Sequence, residues 1–156
     1  MFVIDGNNLL HAICKVEEDY EPINDIGLCR IVGKYLKLTG EKGELIFDGT
    51  GPRDKGLFDR ISNLEVLFAG LDTDTDTVIE DKISTSTAPK RLTIVSSDRR
   101  LRKAARARKA TTIKSEMFWN NIQKQLSRKK IKKEPTAKRH GLTNGETKQW
   151  LEFFGL

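Results

Sequence analysis

Histidine and cysteine are scarce in this 156-residue chain, at two of each. His11 and His140 stand alone, with no nucleophile or second ligand at a meaningful spacing, so neither is assigned a catalytic role. Cys14 and Cys29 form neither a disulfide framework nor a metal-binding motif. Both lie in apolar helical patterns and are expected to be core residues, which fits a reducing cytoplasm. No apolar run approaches the eighteen residues a membrane span needs. The opening MFVID lacks the basic and long apolar parts of a targeting signal, and it is expected to be a strand from its first residues. No internal repeat is present.

Charge is plentiful but unevenly placed. Residues 90–139 carry 18 Lys and Arg against 3 Asp and Glu, a local net of +15, while the remainder is at −9, giving +6 overall. An acidic body joined to a basic C-terminal third suits an enzyme that holds a cation at one place and a polyanion along another.

The apolar pattern alternates between strand and helix. FVID (2–5), ELIFD (44–48), LEVLFAG (64–70), LTIVSSD (92–98) and ATTIKS (110–115) have strand character. Helical spacing runs over 25–39, with Gly40 as a stop, through TVIEDKIS, through the basic RRLRKAARARKA, and over 115–127. GTGPRDKG between the second and third strands is a Gly/Pro loop. The order predicts an α/β domain over residues 1–126 with a mainly parallel sheet of about five strands. A basic linker, 127–141, and a C-terminal helix, 142–156, are expected to follow. Thr143 and Glu146 have capping-box spacing in that helix. Trp150, Leu151, Phe153 and Phe154 give it an apolar face to dock on this domain or on a partner.

Three expected strands end in aspartate: Asp5, Asp48 and Asp98. Ligand sites of open α/β sheets lie beyond the carboxyl ends of the strands, so parallel neighbours would bring these carboxylates to one edge. The segment LDTDTDTVIED (71–81) can add a fourth. Aspartate after a strand is also an ordinary helix cap or turn residue. Clustered carboxylates repel one another and are stable together only with a cation; an oxygen-only site that keeps water favours Mg²⁺ or Mn²⁺. Such a site can polarise a phosphodiester and activate water. A calcium-loop reading of DTDTD fails, because its sixth position is Thr77 and its twelfth is Ile83. A haloacid-dehalogenase reading fails too, since Asp5-Gly6-Asn7 lacks the second acid.

FVIDGNNLLH resembles the opening of NYN domains, a branch of the PIN-like nucleases, with Asp5 and Asn8 in the places of that family's strand-end Asp and following Asn. DTVIEDKI is similar to its A-D-x-x-I-E segment, placing Asp76 in the acid position and Glu80 one helical turn later. IVSSDRRL resembles its next strand motif, with Ser96 two residues before Asp98, and LIFDGT matches the second strand with Asp48. The similarity covers roughly residues 1–125 and is nearest to the YacP-like bacterial group. It implies a three-layer α/β/α PIN-like fold and a metal-dependent ribonuclease, an endoribonuclease in the leading reading. It also implies catalytic Asp5, Asn8, Asp76 and Asp98, metal ligands Asp5, Asp76, Asp98 and Asp48, and support from Ser96 and Glu80. Two positions depart from the family pattern: Thr75 replaces a small apolar residue, and Asn7 stands where a Tyr is common.

The basic helix begins directly after Asp98, so Arg99, Arg100, Arg102 and Lys103 are candidates for RNA phosphate contacts, and RKKIKK (128–133) can extend that track. Phe118 and Trp119 are core candidates. Asp72 and Asp74 are expected to be solvated loop acids. The alternative function is a non-catalytic RNA-binding module of the same fold, with the ribosome or another RNA–protein particle as a candidate partner. No membrane partner is expected, and the sequence leaves the oligomeric state open.

Overall fold

Val3 and Ile4 are neighbours in sequence but belong to two different cores. The computed structural model in which this is seen describes residues 1–16 and 23–133, with side chains through residue 128. Five strands, β1 (Phe2–Asp5), β2 (Gly43–Phe47), β3 (Leu64–Phe68), β4 (Thr93–Val95) and β5 (Thr111–Ile113), form one parallel sheet in the order β3-β2-β1-β4-β5. The helices are α1 (Gly6–Val16), α2 (Asp25–Thr39), α3 (Gly56–Asp59), α4 (Thr75–Thr85), α5 (Arg99–Ala107) and α6 (Ser115–Lys133).

Side chains alternate across a strand, so the central strands feed both faces. Ile4, Leu45, Phe47 and Val95 pack with Leu9, Ile13, Leu28, Val32, Phe118, Trp119 and Ile122 from α1, α2 and α6. Val3, Ile46 and Ile94 pack with Ile79, Ile83, Leu101 and Ala105 from α4 and α5. Three layers result, as the α/β reading predicts. The chain leaves β1 toward β2 and β3 on one side and returns to β4 and β5 on the other. The β1/β4 boundary is therefore the topological switch point, where α/β sheets place ligands.

Local sequence explains the helix bounds. Asn24 caps α2, its side chain accepting from Gly27 N at 2.8 Å, and Gly40 ends the helix at φ 71°, a conformation that favours glycine. Gly6 opens α1 directly from β1. A Cβ there would lie 2.7 Å from both Leu45 Cδ2 and Phe47 Cδ1, so the absent side chain lets α1 start against β2.

Two sequence expectations change, and one short helix is added. Helix α6 continues to Lys133, over the first part of the segment expected as linker; its lysines, arginines and Gln are good helix formers, and no Gly or Pro intervenes before Pro135. Cys14 is exposed, not core, because the buried stripe of α1 runs through Leu9, Ala12 and Ile13. A short helix, α3, follows the Gly/Pro loop. The expected helix at 142–156 and the linker from 134 onward lie outside the described residues. No described helix is long and apolar enough to cross a membrane.

Candidate active site

The carboxyl edge of the sheet gathers the acids. Asp5, the last residue of β1, is only 5% exposed. One of its oxygens accepts from Asn8 N at 3.2 Å, and the other from the Ser96 hydroxyl at 3.3 Å. Two hydrogen bonds do not offset its desolvation. Burial first, and then the nearby charges of Asp76 and Asp48, push its pKa up to about 6. Asp76, in the first turn of α4, is also shifted upward, by burial and then by Asp98, with further repulsion from Asp74 and Asp48. Asp5, Asp48, Asp76 and Asp98 therefore share one electrostatic neighbourhood, as their spacing predicts.

Each remaining acid is oriented by the backbone around it. Asp48 Oδ1 accepts from Thr75 N at 2.9 Å and from the Thr75 hydroxyl at 2.7 Å, while Asp48 N donates to Asn7 Oδ1 at 2.8 Å. The two departures from the family pattern, Asn7 and Thr75, thus both act on Asp48. Asp98 caps α5, accepting from Arg100 N at 2.8 Å and Leu101 N at 3.4 Å, and its own N–H donates to Ser96 Oγ at 3.1 Å. Ser96 bridges Asp5 and Asp98. Asp72 and Asp74 are exposed as expected. Asp74 has a role that the sequence reading missed, because it caps α4 by accepting from Thr77 N at 2.8 Å.

The donor set is all oxygen, and the mutual repulsion that adds to burial in raising Asp5 and Asp76 is what a hard dication neutralises. By donor type and charge, Asp5, Asp76 and Asp98 suit Mg²⁺ or Mn²⁺. Among the described residues, no three acidic, His or Cys side chains stand together as a ready ligand group; Asp48 and Asp98 are turned toward backbone donors. Glu80 forms a forked pair with Arg100, whose Nη2 donates to Glu80 Oε2 at 3.0 Å. That pair ties α4 to α5.

Of the four cations proposed for phosphate contact, Arg99 and Lys103 are exposed, Arg100 is held by Glu80, and Arg102 is half-buried with its Nε lacking a hydrogen-bond partner. Behind the edge lies a second polar group that no short-range pattern signals. Asn8 Oδ1 accepts from Ser97 N at 2.9 Å and from the Ser115 hydroxyl at 2.6 Å. Ser97 Oγ donates to Glu116 Oε2 at 2.7 Å and accepts from Ser115 N at 3.1 Å. Ser115 is fully buried, at the start of α6.

The model of the YacP-like NYN domain family matches residues 2–153. Two solved structures share the fold. A crystal structure of Rae1 (YacP) from Bacillus subtilis, in a tryptophan-to-leucine variant, aligns with TM-score 0.68 at 15% identity, covering 99% of this chain and 96% of that one. Another structure of Rae1 (YacP) from the same organism gives TM-score 0.63 at 17% identity, covering 99% and 92%. No curated protein matches.

Proposed function

Because the chain belongs to the YacP-like NYN domain family, we propose that it is a ribonuclease that hydrolyses RNA phosphodiesters internally, with Mg²⁺ or Mn²⁺ held by Asp5, Asp76 and Asp98 and, as a fourth acid, Asp48. The observation that carries this reading is the electrostatic coupling of Asp5, Asp48, Asp76 and Asp98 along the carboxyl edge of the sheet, with Asp5 and Asp76 shifted upward by burial and by their neighbours' charges. A divalent cation there would supply charge neutralisation and an acidified water. The chain's own residues do the rest. Asp5 is held by Ser96 and Asn8. Asp98 is fixed at the head of α5, and Asp76 stands one turn from Glu80 on α4. Arg99 and Lys103 present positive charge to a phosphate backbone beside the edge, with strength that falls steeply with salt and little choice of sequence.

The test is cleavage of a mixed RNA pool by the purified protein with Mn²⁺, repeated with Asp5→Asn and Asp98→Asn. Both variants should lose turnover; robust cleavage by both would refute the assignment. A second reading, a non-catalytic RNA-binding module acting on the ribosome or another RNA–protein particle, draws on the engagement of Asp48 and Asp98 with backbone donors. RNA binding with a steep salt slope, and no turnover with any divalent ion, would favour it.

A further inference from the structure

We infer that Ser97 and Ser115, backed by Glu116, are positioning residues that fix the Asn8 side chain as a hydrogen-bond donor to a water or phosphate oxygen at the carboxylate edge, and not as a metal ligand. The ligand class rests on the nuclease reading above; the orientation of the amide does not.

The direction of each bond follows from groups that have no choice. Ser97 N–H can only donate, so the Asn8 atom 2.9 Å from it is the carbonyl oxygen. The Ser115 hydroxyl lies 2.6 Å from that same oxygen and must give it a proton. Ser115 N–H likewise can only donate, and it does so to Ser97 Oγ at 3.1 Å. The Ser97 hydroxyl proton then goes to the Glu116 carboxylate at 2.7 Å. That bond is the leading cause holding Glu116 below its ordinary pKa, so Glu116 stays an acceptor.

Two donors fill the two lone pairs of Asn8 Oδ1. The oxygen is spent, and a metal ion would have to displace both bonds to use it. The amide nitrogen is in the opposite condition. It has no hydrogen-bond partner among the described residues, in a half-buried residue whose own N–H donates to Asp5. Beside four carboxylates, an amide donor complements an oxygen acceptor: a water or a non-bridging phosphate oxygen.

The experiment compares wild type with Asn8→Ala, Asn8→Asp, Ser115→Ala and Ser115→Thr in three assays. In the metal-free protein, hydrogen exchange at Ser97 N–H should be slow. It should become fast in Asn8→Ala and stay slow in Asn8→Asp, which keeps an accepting oxygen. Mn²⁺ affinity, measured by calorimetry without RNA, should change by no more than about twofold in Asn8→Ala, whereas loss of a residue that holds the ion, directly or through one of its ligands, would weaken it by about tenfold or more. On RNA, both Asn8 variants should lose about tenfold or more in kcat with smaller change in KM. Ser115→Ala should lose less, and Ser115→Thr should recover. An unprotected Ser97 N–H in wild type would overturn the orientation, and so would weakened Mn²⁺ binding by Asn8→Ala. Full kcat in Asn8→Asp would overturn the donor role, and full kcat in Ser115→Ala would overturn positioning. Absence of RNA turnover by wild type would refute the nuclease reading and the ligand class together, while the exchange and Mn²⁺ results would still decide the amide's orientation.

Discussion

Replacing Asp5 by asparagine should stabilise the metal-free protein at neutral pH while abolishing its turnover. The carboxyl titrates near 3.8 in an unfolded chain and at about 6 in the fold. Below both values the acid is neutral in both states and costs nothing. As pH rises between them, the unfolded chain releases its proton while the folded one retains it, so stability falls. Above about 6 the loss is complete. A difference of about 2.2 units corresponds to about 3 kcal/mol. Asparagine removes that cost but makes weaker, neutral bonds to Asn8 N and Ser96, leaving an expected gain of about 1–3 kcal/mol at pH 7. For a chain of this size that is a rise in Tm of roughly 2–12 °C. The assay is thermal or urea unfolding of both proteins in EDTA from pH 3.5 to 8. The difference between them reports Asp5 together with its coupling to Asp76 and Asp48, because Asp74 and Glu116, which are shifted downward and lose stabilisation as pH falls, contribute equally to both. The variant's advantage should be near zero at pH 3.5, grow between about 4 and 6, and then stay level. Saturating Mn²⁺ should narrow or reverse it, since a cation bound only by the folded wild type adds its own stabilisation. A variant less stable than wild type at pH 7 in EDTA, or an advantage independent of pH, would refute the argument.

Asp76→Asn should lose RNA cleavage and Asp72→Asn should keep it, as read by initial rates with Mn²⁺; equal loss in both would mean that the exposed loop acid also belongs to the site. Asp74→Ala should lower stability by about 1 kcal/mol through loss of the α4 cap, measured by urea unfolding. Gly6→Ala should cost about 1–3 kcal/mol, because its new methyl meets Leu45 and Phe47, and an unchanged midpoint would show that these side chains move aside freely. Arg99→Ala and Lys103→Ala should each weaken RNA binding across sequences and reduce its salt slope by about one, whereas Asp72→Asn should leave the slope alone.

Much of this fold is written locally. The β1, α2 and β3 boundaries follow from apolar runs and from two punctuating residues, Asn24 and Gly40, whose caps act within a turn. The acids of the edge are legible for a related reason: a parallel strand delivers its last residue to a known place, so Asp5 could be placed once β1 was, whereas β4 ends at Val95, short of the expected strand, and Asp98 lies three residues beyond it as the cap of α5. The sequence is silent where two distant segments must meet. Asp48 is held by Thr75, 27 positions away, and Asn8 by Ser115, 107 positions away; serine and threonine carry no periodicity that would announce either. Charge misled in one place: RKKIKK reads as a linker because it is basic, although its residues favour the helix it forms. Arg100, read as a phosphate contact, also pairs with Glu80, a partner 20 positions away that local sequence does not announce.

The link between Asn8 and Ser115 also sets an order of events. A chain made from its N-terminus carries Asp5 and Asn8 long before Ser115 exists. Until β5 and the first turn of α6 have been synthesised and folded, the Asn8 oxygen lacks its second donor and the amide is held by Ser97 alone. The carboxylate edge is therefore completed only after all four of its acids have been made, and a nascent chain that stops short of Ser115 holds the acids without the full arrangement that orients their neighbour.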